Sequence, residues 1–348
     1  MGNLPVELTS FVGRQSEVAA VRALLQDVRL LTLTGAGGVG KTRLAMRVAQ
    51  ELTGVYGDGE WLVELAALAD PALLPRLVAQ SLGVPERPGQ AAASALSDYL
   101  RSRQLLLVLD NCEHLVAACA ELAENLLRAC PELCILTTSR QPLGVAGETL
   151  WRVPSLAVPD AHSVQGTDEA AGYGAVQLFL DRARSSLPEF RLTDINLNAV
   201  VEICERLDGV PLALELAAAR VRILSPEQIA SRLTDRFRLL TDGSRSALPR
   251  QQTLRGAMDW SYALLSGADQ LLLDRLAVFA GGFTLESAEA VCSSDDLPID
   301  DVRTSDLDWA FRAPRFDTVF PEPNRMPLLI RTMRDLGVEL EEHRVIDV

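Results

Sequence analysis

Histidine is scarce in this 348-residue chain, with three in all, and its six cysteines include no CxxC pair. A cysteine-and-histidine zinc framework needs closely spaced ligands, so none is expected. Cys112, Cys119, Cys130, Cys134, Cys204 and Cys292 instead sit inside apolar or helical patterns and read as reduced core thiols. Long hydrophobic runs are missing as well. Each is broken by Asp, Glu, Arg or Gly within a dozen positions, short of the roughly 20 residues that cross a bilayer. Residues 1–10 carry no basic stretch leading into an apolar core. These absences predict a cytoplasmic protein with no membrane association. Positive charge is in deficit: the formal net charge is -14, so a polyanion would be repelled over most of the surface and DNA binding by this chain is not expected. What remains is 48% apolar and 23% charged, the balance of a folded chain long enough for two or three cores.

Periodicity divides the chain. After a Gly13-Arg14 turn, Val18, Val21, Leu24 and Leu25 recur at helical spacing; an apolar run at 30–34 then meets a glycine cluster, and Leu44, Val48 and Leu52 resume the helical repeat. Further strands are predicted at 61–65, 105–110, 134–138 and 149–153, with helices at 72–82, 91–100 and 115–127 between them. This alternation predicts an α/β domain over 1–158, its parallel sheet covered on both faces. Residues 160–174, polar and small, read as a linker or long loop. A helical domain is expected over 175–245, with helices at 176–183, 197–207 and 212–224. Three more helical segments, at 254–265, 270–279 and 285–291, fill a region at 250–293. The prolines scattered through 294–348 leave that tail unassigned.

The glycine cluster is Gly35-Ala36-Gly37-Gly38-Val39-Gly40-Lys41-Thr42, which satisfies GxxxxGK[ST] and lies between a strand and a helix. Glycines let successive backbone N–H groups turn toward phosphate oxygens, and the helix opening near Lys41 adds its positive end. Lys41 would face the β- and γ-phosphates, and Thr42 would offer its hydroxyl to Mg²⁺. Asp110 closes the apolar strand that begins at Leu105 and would hold the metal from the strand's C-terminal end. Of Asn111 and Glu113, only Glu113 has the chemistry to take a proton from an attacking water; the competing reading is a helix-start acid that complements the dipole. Arg140 follows Thr137-Thr138-Ser139 at the next strand's end, where it either reaches the γ-phosphate or is a plain surface arginine.

Together with Ser10-Phe11-Val12-Gly13-Arg14, Asp110-Asn111-Cys112-Glu113-His114, Gly209-Val210-Pro211-Leu212-Ala213, Trp260-Ser261-Tyr262 and Phe279-Ala280-Gly281-Gly282-Phe283, these pieces resemble the NB-ARC type of STAND ATPases. The similarity is to the version found in bacterial LuxR-type and antibiotic-regulatory transcription activators, over about residues 4–292. It implies a P-loop NTPase sheet followed by a helical domain and a partial winged-helix region, binding ATP or ADP with Mg²⁺. Val12, Gly13 and Arg14 would meet adenine and ribose; Gly35, Gly37, Gly38, Val39, Gly40, Lys41, Thr42 and Arg43 the phosphates. Asp110 would hold the metal, Arg140 would sense the γ-phosphate, and Pro211, in a GxP turn, would pack against the nucleotide. The winged-helix pattern stops near Cys292 and no helix-turn-helix follows, as if the product were truncated or rearranged, or its tail an unrelated acquisition. The resemblance implies a slowly hydrolysing regulatory switch that works through a protein partner or self-association. A P-loop kinase or efficient ATPase, and a nucleotide-binding module that does not switch, remain the alternatives.

Overall fold

The structure is a computed structural model that describes residues 2–160, 164, 166–233, 267–276, 285–294, 296–299 and 302. The helix expected at 254–265, the motifs at 260–262 and 279–283 and almost all of the tail lie outside the described residues. Two compact units emerge: one holds Met1–Ala157 and Ala171–Asp181, the other the described parts of Val158–Ala170 and Arg182–Val348.

The first unit is built on five parallel strands, β1 (Leu30–Thr34), β2 (Glu60–Glu64), β3 (Leu105–Asp110), β4 (Leu133–Thr138) and β5 (Thr149–Arg152), in the order β2-β3-β4-β1-β5. Alternate side chains of a strand point to opposite faces, and both faces are apolar here. On one face Leu105, Leu107 and Leu109 of β3 and Leu133 and Ile135 of β4 pack with α3 (Leu74–Ser81), α4 (Ala92–Leu100) and α5 (Val116–Ala129). On the other, Leu31, Leu33, Leu106, Val108 and Leu136 meet α1 (Gln15–Asp27) and α2 (Lys41–Glu51). Cys112, Cys119 and Cys130 lie in the first of these cores and Cys134 in the second; all six cysteines are free and buried.

Because every strand runs the same way, their C-terminal ends share one edge of the sheet. The register puts β4 between β1 and β3, pairing Leu33 with Thr138 on one side and Leu109 with Thr137 on the other. The loop after β1 and the acid ending β3 are thus separated by one strand width, about 4.8 Å on either side of β4.

The stretch expected to be a linker contains a short helix, α6 (Thr167–Ala170). Asp168 and Glu169 suit its first turn, and Ala170 is buried with Leu197 and Val201; that apolar contact, absent from the local composition, is what orders it. Helix α7 (Gly174–Ser186) follows, and the division between units falls within it. The second unit continues with α8 (Leu197–Arg206), α9 (Pro211–Ala218), α10 (Pro226–Arg232), α11 (Gly267–Leu276) and α12 (Leu285–Cys292). Pro211 and Pro226 each occupy a first helical turn, where a missing N–H costs nothing.

Candidate functional site

Gly35 to Thr42 forms the turn from β1 into α2, which begins at Lys41. Gly35, Gly38 and Gly40 have φ of +146°, +80° and +96°, a region that side chains disfavour. At Gly35 a Cβ would also come within 3.2 Å of the Val153 carbonyl oxygen. Lys41 folds back over this loop, its Nζ donating to the carbonyls of Gly35 (2.8 Å) and Ala36 (3.1 Å). It is only 8% exposed. Burial pushes its ammonium down to about 8; Glu113 opposes that shift, Arg140 adds to it and Asp110 opposes it. A desolvated cation resting on carbonyl oxygens is poised for an anion.

Asp110, also buried, receives two hydroxyls on one oxygen: Thr42 Oγ1 and Thr138 Oγ1 each donate to Oδ1 at 2.6 Å. Burial raises the proton affinity of this carboxyl, the two hydroxyl donors lower it, Glu113 raises it and Lys41 lowers it. Thr138 Oγ1 in turn accepts the Asn111 N–H at 2.8 Å, fixing the turn where Asn111 adopts φ +69°. Thr32 and Thr137 share a buried hydroxyl bond of 2.7 Å one layer below. Composition and spacing alone assign Thr137 and Thr138 no role. Their signal was two hydroxyls ending a strand otherwise made of Leu, Cys and Ile.

Glu113 and Arg140 come together. Arg140 Nε lies 3.3 Å from Glu113 Oε1, with side chains 18% and 6% exposed. Arg140 is thus mostly buried and ion-paired, and Glu113 is a paired acid rather than an open one.

The N-terminal turn is tied to the P-loop from outside. Arg14, 3% exposed, donates through one amino group to the carbonyls of Val39 and Pro154, both at 2.8 Å. It works here as a strut between the loop and the end of β5. Gly13, at φ +74°, passes so close to Gly174 that a Cβ would stand 2.8 Å from its Cα; Val12 beside it is half-buried. Arg43 turns toward the arm before that turn, donating to the carbonyls of Thr9 and Ser10. Pro211 belongs to the second unit.

The residues fit a Mg-nucleotide. Lys41 and the glycine turn offer the phosphate cradle, and Thr42 and Asp110 stand side by side at its end, a hydroxyl and one carboxylate. Among the described residues no cluster of three or more His, Cys, Asp or Glu could hold a metal alone, whereas Mg²⁺ ordinarily takes one or two carboxylates with phosphate oxygens and water. No helix of the described residues is long and apolar enough to cross a membrane.

A family profile described as "AAA domain" matches residues 25–146, the span from the end of α1 past Arg140. A Mycobacterium tuberculosis protein named provisionally as an HTH-type transcriptional regulator, Rv0890c, is 50% identical over 277 residues, 80% of this chain and 30% of that protein. The chain thus spans under a third of the length of that relative. Uncharacterized protein Rv0894 of the same organism is 46% identical over 289 residues, 83% of this chain and 70% of its own length. Among solved structures, the Walker-type ATPase PABY2304 of Pyrococcus abyssi shares the fold, with a TM-score of 0.50 at 15% identity over 84% of this chain and 89% of that one. With the glycine turn, the buried lysine and the strand-end acid where such a domain needs them, this chain carries an AAA-type P-loop ATPase domain and belongs to the family of Rv0894.

Proposed function

We propose that this chain is a nucleotide-dependent regulatory switch, binding ATP and ADP at the β1–α2 turn and hydrolysing ATP slowly with Mg²⁺. The observation that carries this reading is the buried Lys41 ammonium held over Gly35 and Ala36 beside the Thr42–Asp110 pair. The loop N–H groups and Lys41 would bind the phosphates, and Thr42 and Asp110 would hold the metal ion. Mg²⁺ supplies charge neutralisation on the phosphate oxygens. In hydrolysis the terminal phosphoryl group passes to a water oxygen as its bond to the β-phosphate oxygen breaks, and Glu113 is the nearby carboxylate able to take that water's proton. A regulatory output is supported by the name of the relative Rv0890c and by the helical unit that follows the ATPase domain in sequence. A change of nucleotide can shift a protein only by its differential affinity for two states, so the output would pass through a protein partner or a second copy.

Calorimetry with ADP and a non-hydrolysable ATP analogue tests the site, and mass spectrometry of nucleotide released by denaturing the purified protein tests its natural occupant. Saturable binding of both nucleotides with a purine nucleotide in the released fraction is expected. Absence of binding with no copurified nucleotide would overturn the reading. Protease protection that differs between the two bound forms is expected of a switch; identical patterns would reduce it to a binding module.

A further inference from the structure

A circuit of hydrogen bonds leaves Asp110 by its backbone and returns to it by its side chain. The Asp110 carbonyl accepts the N–H of Leu65, the residue after β2, at 3.0 Å, and the Leu65 carbonyl accepts the Leu68 N–H at 2.9 Å. The Leu68 carbonyl is met by His114 Nε2 at 3.0 Å, and Nδ1 of the same ring faces Asn111 Nδ2 at 3.3 Å. The Asn111 N–H donates to Thr138 Oγ1, and that hydroxyl donates to Asp110 Oδ1. A single protonation pattern satisfies every contact. A carbonyl oxygen can only accept, so His114 carries its proton on Nε2; Nδ1 is then a bare acceptor, to which the Asn111 amide donates. The imidazole thereby bridges the loop after β2 and the turn after β3. That turn needs holding, because Asn111 sits at φ +69°, where a Cβ is disfavoured.

Resting on the reading of Asp110 as the residue that holds Mg²⁺, we propose that His114 is a positioning residue: it clamps the β2 loop to the turn after β3, so that Asp110 is set in place before the ion arrives. Groups that hydrogen-bond behind a metal ligand fix its orientation and commonly carry a large share of the metal affinity. Preorganisation spares the ion the cost of ordering its own ligand. His114 acts here through Leu68 and Asn111, so its loss is expected to spare the phosphate cradle formed by the glycine turn and Lys41.

Two readouts test the clamp. In ¹⁵N spectra of the imidazole rings, recorded without nucleotide in mildly alkaline buffer, His114 is expected to show a proton on Nε2 and none on Nδ1. The chain has three histidines, and the signal missing from His114→Ala identifies this one. A proton on Nδ1 overturns the clamp whatever the protein binds. The second readout is calorimetry of ADP with and without Mg²⁺, on variants checked for folding by thermal melting. His114→Ala is expected to lose on the order of tenfold of the affinity that Mg²⁺ adds, with metal-free ADP affinity unchanged. An undiminished Mg²⁺ gain, or a metal-free affinity that falls by as much, overturns the proposal. His114→Asn separates a clamp from a local cap, because its amide oxygen takes the place of Nδ1 without reaching Leu68. It is expected to fail as alanine does, and a full Mg²⁺ gain would reduce His114 to a cap of its own turn. Where His114→Ala does not fold, Asn111→Gly replaces it: glycine accepts the positive φ but lacks the amide, so the same loss is expected and an intact gain overturns the clamp. A wild type whose ADP affinity ignores Mg²⁺ sinks the metal reading, and the proposal with it, even where the Nε2 proton is found.

Discussion

Lys41, proposed to face the phosphates, illustrates how a buried cation is destabilising while it has no anion beside it. Its ammonium falls to about 8 from an ordinary 10.5 because burial strips its water, with Glu113, Arg140 and Asp110 as the charged neighbours that modify the effect. Between about 8 and 10.5 the unfolded lysine keeps a proton that the folded one has released. The unfolded state then binds more protons, and stability of the nucleotide-free protein rises with pH across that window. Relative to Lys41→Met, the wild type is expected to gain up to ~3 kcal/mol between pH 7.5 and 10, measured by urea unfolding. Parallel curves for the two proteins would refute it. Phosphate favours the charged form, so nucleotide binding near pH 8.5 should take up protons, and Lys41→Met should weaken it at least about tenfold. Asp110 has a different task. Asp110→Asn keeps an acceptor for Thr42 and Thr138 but removes the charge, so metal-free ADP binding should survive while the added affinity from Mg²⁺ is lost; a variant with undiminished Mg²⁺ dependence contradicts the metal role.

At the level of elements, the close passage of Gly13 against Gly174 sets a spacing that no other residue fits. Gly13 and Gly54 both have positive φ, +74° and +87°, yet a Cβ on Gly54 meets nothing within 4 Å. Gly54→Ala should therefore lose only the left-handed penalty of about 1 kcal/mol, and Gly13→Ala at least about 2 kcal/mol; equal urea midpoints would show that the crossing is not tight. The strands were legible to within a residue, because 105–109 and 133–136 are unbroken apolar runs buried on both faces and ended by polar residues. The P-loop was legible because its chemistry needs consecutive residues. Helix α6 was not, since a four-residue element is held by Ala170 against Leu197 and Val201, contacts made across some thirty residues. Nor was the pairing of Glu113 with Arg140, which depends on β3 and β4 being neighbours; sequence alone offered each residue a plausible solitary role.

For the whole molecule, charge sets what it can meet. A formal charge of -14 disfavours the phosphate backbone of DNA, where a strong binder makes roughly 6 to 10 phosphate contacts. The relative Rv0890c is named as an HTH-type regulator, but the chain spans 30% of that protein, and a DNA-reading role for this stretch is a separate question with its own measurement. We expect no saturable complex at physiological salt with promoter fragments neighbouring its gene, with either nucleotide present. A competitor-resistant complex at submicromolar protein in fluorescence anisotropy would reverse that expectation.

The strand order carries a consequence for synthesis. β1 is made first, yet its two neighbours in the sheet are the last two strands to be made: Leu31 pairs with Leu136 on one side and Thr149 on the other. While the ribosome is still adding the intervening hundred or so residues, β1 has no strand to lie against, and the turn that follows it has no Val153 carbonyl to rest near and no Asp110 or Thr138 to face. Such distant pairings form late and leave early segments waiting. On the proposed reading of the site, nucleotide would therefore reward the completion of this sheet rather than template its beginning.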